Sequence, residues 1–492
     1  MRTVRQWVGE TAGGLPRGYW YLWGNTLINR VGSFVIILLA IYLTQDRHLS
    51  PSFAGFVIGL WGAGGALGAL LGGVLADRWG RKPTFLTSLY SSAVMMLVLG
   101  LAEGRLAIAL AVLVLGVVSE AARPALSALM IDIVPERDRM RAFSLQYWVI
   151  NLGFAIAATT AGLVAGADFR LLFLIDATTT TAAATLVAIK VREPRRVVAT
   201  ATRAGGRTGQ NRSAGAGGDG GAAPAAPRRG SAGPGLRTVF ADKVFMTFVG
   251  TNVLTAIVFL QHISTLPMSM ARDGLSPATF GLVIALNGIL IVAGQLFMGK
   301  MLNWGKRSTT LAAAALIMGI GFGLNAFAGT VWLYAVAVLI WTFGEMLNAP
   351  SNSTTNAELS PAHLRGRYQG VFTLSWSVAG FVAPIAGSAV LQYAGTTTLW
   401  LGCLALALVV AVSHLLAGPA RERRTAELAA NELAATELAA TELAATERLT
   451  AEAAQGAVAE RTVPRAVRLD RKADRGEPAG DWPAPELAAA ER

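Results

Sequence analysis

Runs of about 20 apolar residues, separated by short polar turns, fill most of the chain. Such a run crosses the ~30 Å hydrocarbon core of a bilayer as a helix, which rises 1.5 Å per residue. Twelve are predicted, at about 20–43, 52–75, 84–102, 106–131, 142–166, 170–190, 244–267, 278–301, 308–328, 331–352, 367–391 and 396–417. The pattern lapses twice. Between Arg195 and Gly235 the chain is rich in Gly, Ala, Arg and Pro and has no apolar periodicity, so a flexible linker is expected there. After Pro419 the chain turns polar, and from Glu427 to Leu443 it repeats E-L-A-A-x every five residues. Five residues advance a helix by about 500°, so these leucines drift around the axis and define no packing face. The tail is expected to be partly helical or disordered.

The linker divides the spans six and six, and the two halves repeat. Ser50-Pro51 returns as Ser276-Pro277, 226 residues later, and Gly55 and Gly62 return as Gly281 and Gly288. Pro135, Arg139 and Arg141 return as Pro361, Arg365 and Arg367 at the same offset. Trp79-Gly80-Arg81-Lys82 is echoed by Trp304-Gly305-Lys306-Arg307, but the position of Asp77 falls near Leu302, so the echo lacks the acid. The fold class expected is therefore all-α membrane, twelve transmembrane helices in two pseudo-symmetric six-helix bundles. Parallel repeats of this kind are a transporter architecture, with substrate bound between the halves near mid-membrane. The expected organisation is an N-terminal segment 1–19, a first bundle 20–194, the linker 195–240, a second bundle 241–418 and a low-complexity tail 419–492.

Composition agrees with a membrane chain: 53% of residues are hydrophobic and 15% charged, against about 25% charged in soluble domains. The formal net charge of +12 raises nucleic acid as a partner. The bases, however, lie in loops and tails rather than in one patch. Arg78, Arg81, Lys82, Arg137, Arg139 and Arg141 fall on one side, whereas Arg47, Arg105, Arg170 and Arg272 fall on the other, near acids in sequence. The bias reads as positive-inside, with both termini and the linker cytoplasmic in the plasma (inner) membrane and no nucleic acid involved. The single Cys403 excludes an internal disulfide and a thiolate cluster, and the four histidines have no metal-binding spacing. No phosphate loop and no catalytic triad is present, so neither a cofactor nor an enzymatic activity is expected.

The densest chemistry lies between the second and third runs, in Gly72-Gly73-Val74-Leu75-Ala76-Asp77-Arg78-Trp79-Gly80-Arg81-Lys82-Pro83. Glycines let two helices approach closely, Asp77 can attract a helix N-terminus, and the bases hold the turn on the cytoplasmic side. The pattern G-x-x-A-D-R-x-G-R-K resembles the loop signature of the major facilitator superfamily. Met130-Ile131-Asp132 with Phe143 to Trp148 and Asn151-Leu152, Asp242-Lys243 with Gly250-Thr251-Asn252, and Thr342-Phe343-Gly344-Glu345 with Pro350 look like the multidrug–proton antiporters of the drug:H+ antiporter branch.

In a fold of this family the first, fourth, seventh and tenth helices line the central cavity. Each carries an ionisable group here: Arg30, Glu120 with Arg123, His262 and Glu345. An ionisable group in a membrane helix is costly and marks a functional candidate. Glu120 and Arg123 stand three apart on one helix face and can neutralise each other, as a structural pair or as a cavity site. Arg30 lies at similar depth, as a bundle clamp or as a partner of Glu120. Glu345 has no base within a turn, only Trp341, Leu347 and Asn348, so it is the candidate proton carrier, or an acid hydrogen-bonded to Asn348 or to a distant helix. His262 is either a switch or a lining residue. Asp132 either pairs with Arg81 or Arg78 or belongs to a surface turn. Asp176 is expected to face its bundle, with no role assigned. Gln146, Trp148, Trp341 and Asn348 complete the expected cavity, with Trp61, Tyr147 and Trp376 as further aromatic faces or packing residues.

The resemblance implies two alternating states. Asp77, with Gly73, Arg78 and Gly80 around it, would bind the eleventh helix and hold the outward-open form, and Arg81 and Asp132 would form a charge relay. Glu345 would couple proton movement to drug binding, with Asp132 and His262 as further proton-coupling candidates. Two departures stand out: Gln146 and Ile263 occupy places where relatives carry acids, and Ala157-Ala158 replaces a glycine-proline pair. Three readings stay open: a proton-coupled exporter of drug-like or natural-product molecules, a proton-coupled importer of a small metabolite, and a non-transporting sensor or scaffold. The expected partners are the lipid bilayer, protons and a small-molecule substrate, and the chain is expected to act as a monomer.

Overall fold

A computed structural model of the chain describes residues 13–165, 168–192, 236–301 and 306–462. Among the described residues, twelve helices long and apolar enough to cross a membrane follow one another. In the first half they are α1 (Arg17–Asp46), α2 (Pro51–Trp79), α3 (Arg81–Leu101), α4 (Arg105–Ile133), α5 (Glu136–Ala165) and α6 (Phe169–Lys190). In the second they are α7 (Lys243–Arg272), α8 (Pro277–Met301), α9 (Arg307–Phe327), α10 (Val331–Glu358), α11 (Ala362–Tyr393) and α12 (Gly395–Leu416). Each helix of the second half begins 226 residues after its counterpart, from Arg17 and Lys243 to Phe169 and Gly395. The repeat seen in a few motifs thus extends to every span.

Local chemistry sets the starts. The Ser50 hydroxyl accepts from the Phe53 N–H at 3.3 Å ahead of Pro51, and Ser276 repeats the arrangement with the Thr279 N–H at 3.1 Å ahead of Pro277. A serine cap followed by proline satisfies one of the free amides of the first turn and presets φ. Asp168 and Asp242 cap α6 and α7 in the same way, through the N–H groups of Arg170 and Phe245. Gly80 joins α2 to α3 with φ of 106°, a value at which any Cβ is strained.

Among the described residues, three helices are interrupted near their middles. α1 breaks at Gly32 and Ser33, α4 at Ala121 and α7 at Leu260. In α4 the cause is Pro124, whose ring would meet the carbonyl of Glu120, four residues back, in a continuous helix. In α1 the break rests on α6, since a Cβ on Gly32 would overlap the Thr179 side chain. α10 stays continuous for 28 residues despite Pro350. It runs past the expected end at 352 because Thr355 and Asn356 of its polar last turns are buried against neighbours.

Glycines bring α2 against two partners. Gly64, Gly68 and Gly72 recur every fourth residue and lie on the backbone carbonyls of Leu113, Val117 and Ala121 in α4. On its other face Gly55, Gly59 and Gly62 meet the backbone of Pro384, Phe381 and Gly380 in α11. The pseudo-symmetric contact joins α5 to α8, where Gly281 lies on the Ala158 carbonyl and Gly288 on Ala155. The contacts between the halves lie toward the far end, where α2 and α8 begin. At the near end, which carries the α2–α3 turn, a Cβ on Gly73, Gly366 or Gly370 would meet nothing within 4 Å. Among the described residues, the close glycine contacts between the halves therefore lie at the far end, and none of these three near-end glycines makes one.

The expected linker lies mostly outside the described residues, but Leu236–Ala241, its end, forms a short helix. The last helix, α13 (Gly418–Thr462), leaves the first compact unit at Thr425. In the second unit the repeat is helical, and Leu433, Leu438 and Leu443 are all exposed, as a five-residue period requires.

Candidate functional site

Among the described residues, one cavity lies in each half near the middle of the fold. The larger, about 530 Å³, lies within the first half. It takes polar groups from Asn25, Asn29, Arg30, Glu120, Arg123 and Gln146 and an apolar wall from Leu39, Trp61, Met96 and Leu115. Its charges sit at the helix interruptions. Arg30 precedes the break in α1, held close to α5 because a Cβ on Gly153 would lie 2.5 Å from its own Cβ. Glu120 ends the first segment of α4 and pairs with Arg123 at 2.7 Å. Asp176 of α6 is buried, and its carboxylate accepts the Val35 N–H at 3.2 Å where α1 resumes. The Asn29 amide donates to Thr180 at 2.9 Å, and the Thr180 hydroxyl reaches the second Asp176 oxygen at 3.5 Å. Gln146, also buried, donates to Thr26 at 2.6 Å.

The smaller cavity, about 160 Å³, lies in the second half and is lined by Thr255, Phe259, Glu345, Asn348, Phe372 and Trp376 among others. The Glu345 carboxylate accepts a 2.7 Å hydrogen bond from Asn287 of α8, whose amide also reaches Thr342 at 3.1 Å. Among the described residues no cationic group pairs with Glu345. Tyr147 of α5, which lines the larger cavity, lies near enough to the Glu345 carboxylate to feel its charge. His262 is buried, bonds the Phe259 carbonyl through Nδ1 at 2.6 Å and lies 5.5 Å, centroid to centroid, from Trp341.

At the near end Arg81 Nε meets Asp132 Oδ2 at 3.3 Å, tying the start of α3 to the end of α4. The pair is duplicated 226 residues on, where Arg307 meets Glu358 at 2.8 Å between α9 and α10. Asp77 and Arg78 are exposed in the last turn of α2.

This arrangement has recognisable relatives. The profile of the Major Facilitator Superfamily matches residues 22–268 and 262–459. The chain belongs to this superfamily. It is 21% identical over 384 residues to the uncharacterized MFS-type transporter YdeE of Escherichia coli (strain K12), covering 77% of this chain and 90% of that one. It is 23% identical over 405 residues to the multidrug resistance protein MdtH of Aeromonas salmonicida (strain A449), covering 81% and 94%. Among solved structures, a POT family transporter in complex with 5-aminolevulinic acid superposes with a TM-score of 0.66 at 14% identity, over 82% of this chain and 97% of that one. That likeness concerns the fold.

In this member of the superfamily, the residues expected from sequence divide into three groups. Arg30, Glu120, Arg123 and Gln146 gather in the first-half cavity, and Glu345 and Asn348 in the second. His262 and Trp341 stand behind the second cavity, with Trp341 stacked on Phe322 at 5.3 Å. Trp148 lines neither cavity, and its neighbour Tyr147 occupies that place on α5. Sequence reasoning missed Asn287, the docking of Asp176 on α1 and the Arg307–Glu358 pair. The 226-residue offset from Arg81 and Asp132 points directly to the last of these.

Proposed function

We propose that this superfamily transporter is a plasma-membrane exporter that moves drug-like or natural-product molecules in exchange for protons, with Glu345 as the coupling acid. The observation that carries the reading is the setting of Glu345. It is a carboxyl in the second-half cavity, bonded by Asn287 and with no cationic partner among the described residues. An acid so placed in a membrane helix is costly and marks a functional position. It can exchange its proton with whichever side the cavity opens to, and its protonation state changes what the cavity holds. The likeness to a multidrug resistance protein supports the substrate class.

With the near end cytoplasmic, as the distribution of bases indicates, this conformation is open inward. Export then runs by loading from the cytoplasm, closure of the near end and release on the other side. Closure brings the Asp77 end of α2 toward the Gly366 end of α11. Asp77 serves there as the latch, with Gly73, Arg78 and Gly80 shaping its turn and the Arg81–Asp132 pair as its relay. Asp132 and His262 are the further proton-coupling candidates, His262 through its contact with Trp341 beside Glu345. The transporter works as a monomer.

The test is transport in inside-out vesicles with an imposed proton gradient, using one cationic and one carboxylate dye of similar body. Gradient-dependent accumulation of either dye supports the reading. Absence of accumulation of both, or protein-dependent uptake of the dyes by intact cells, overturns it.

A further inference from the structure

The charges of the first-half cavity do not cancel in place. Two carboxylates and two guanidinium groups line it, yet the pairing is uneven. Glu120 is taken by Arg123 at 2.7 Å. Asp176 is taken by the Val35 N–H at 3.2 Å and the Thr180 hydroxyl at 3.5 Å, where it caps the second segment of α1. Arg30 lies within Coulombic range of Glu120, Asp176 and Arg123. Among the described residues, no carboxylate lies within ion-pair distance of it. A guanidinium carries five donors in a fixed fork that matches a carboxylate, and this one lines the cavity with that fork unengaged among the described residues.

The arrangement is not scaffold shared by the two halves. At the 226-residue offset the counterparts of Arg30, Glu120, Arg123 and Asp176 are Ala256, Met346, Ala349 and Gly402. The second half packs its helices without any of these charges. Apart from Asp176, which holds the break in α1, the first half therefore bears the cost of intramembrane charge for something other than assembly. The rest of the cavity is an apolar wall of Leu39, Trp61, Met96 and Leu115. Its volume of about 530 Å³ is within the range of small-molecule sites.

We propose that this cavity is a carboxylate-docking subsite. Arg30 receives the anionic end of an amphipathic organic acid, and the wall around Trp61 takes its apolar body. Glu120 holds Arg123 as a second, shielded cation at the rim. The inference rests on the reading of the chain as a small-molecule exporter and names the substrate class of its first-half cavity.

The test is equilibrium binding, with no gradient, to the purified full-length protein in an uncharged detergent. The probes are pyrenebutyrate, pyrenebutanol and pyrenebutylamine, followed by fluorescence anisotropy with protein-free micelles subtracted. The expected order is acid, then alcohol, then amine, with the acid about tenfold tighter than the alcohol. Arg30→Gln brings the acid down to the level of the alcohol and leaves the alcohol unchanged. Equal binding of all three, tightest binding of the amine, or a preference for the acid that survives Arg30→Gln overturns the proposal. The order in the unmodified protein is read without any variant, so a misfolded Arg30→Gln does not spare the proposal. Because no flux is involved, binding can succeed where proton-driven export fails, and the reverse, so the two readings fail separately.

Discussion

The Asn287 amide donates a 2.7 Å hydrogen bond to the Glu345 carboxylate and joins α8 to α10 in the second half. It also reaches the Thr342 hydroxyl at 3.1 Å, one turn before the acid. Removing the amide leaves a carboxylate in the protein interior without its donor, at a cost of about 1–3 kcal/mol. Asn287→Ala is expected to lower the unfolding temperature of the purified protein and to slow proton-coupled transport. Thermal unfolding and vesicle flux measured on the same preparation check both. Unchanged values in each would separate Asn287 from the acid.

The two near-end ion pairs, Arg81–Asp132 and Arg307–Glu358, occupy equivalent places but are expected to differ in function. All four side chains are partly exposed, so each pair contributes about 1 kcal/mol or less to stability. Only the first adjoins an acid in the preceding turn, Asp77, which the second half lacks. Asp132→Asn is expected to cut transport at least tenfold, and Glu358→Gln to leave it within about twofold, with melting temperatures near that of the unmodified protein for both. Equal losses of flux would show that the relay is not confined to the first half.

The break in α1 depends on Asp176. Its carboxylate supplies the acceptor that the restarting helix needs at Val35. Asp176→Ala should destabilise the protein by about 1–3 kcal/mol, and Asp176→Asn, which keeps an acceptor, by less. Gly32→Val should be worse than Gly32→Ala, because even the first added carbon meets Thr179. Thermal unfolding of the four variants orders them, and an Asp176→Ala protein as stable as the unmodified one would remove the capping role.

The far-end closure depends on glycine. Gly62 lies on the Gly380 backbone and Gly288 on Ala155, so a leucine at either position wedges the halves apart there. The native Cys403 is buried, so a single reporter thiol can be read. Gly366→Cys, in open space at the near end, should react readily with an aqueous maleimide. Adding Gly62→Leu should slow that reaction severalfold by favouring the state closed at the near end. An unchanged labelling rate would contradict the pairing of the two gates.

The spans and their repeat were legible in the sequence because hydropathy is a property of local stretches. A helix start such as Ser50-Pro51 carries its own cap. Helix ends were less legible: α10 runs on through Thr355 and Asn356, whose burial comes from neighbouring helices. The candidate site was legible as a set of charged positions, since Arg30, Glu120, Arg123 and Glu345 are conspicuous in apolar runs. Their partners were not, because pairing depends on which helices touch and on how each is rotated. Asn287 stands 58 residues from the acid it binds. Trp148 and Tyr147 are adjacent, so about 100° of helix rotation decides which meets the cavity. Asp176 was visible as an acid in an apolar helix, but its target, a backbone N–H exposed by a break in another helix, has no sequence signal of its own.

The central claim is that Glu345 carries the exchanged proton. Its most direct measurement is proton release in sealed proteoliposomes, followed with an enclosed pH indicator while a transported substrate is added, for the unmodified protein and for Glu345→Gln. The account predicts a substrate-dependent pH change with the unmodified protein and none with Glu345→Gln, while the variant still binds substrate. A full pH response from Glu345→Gln would contradict it.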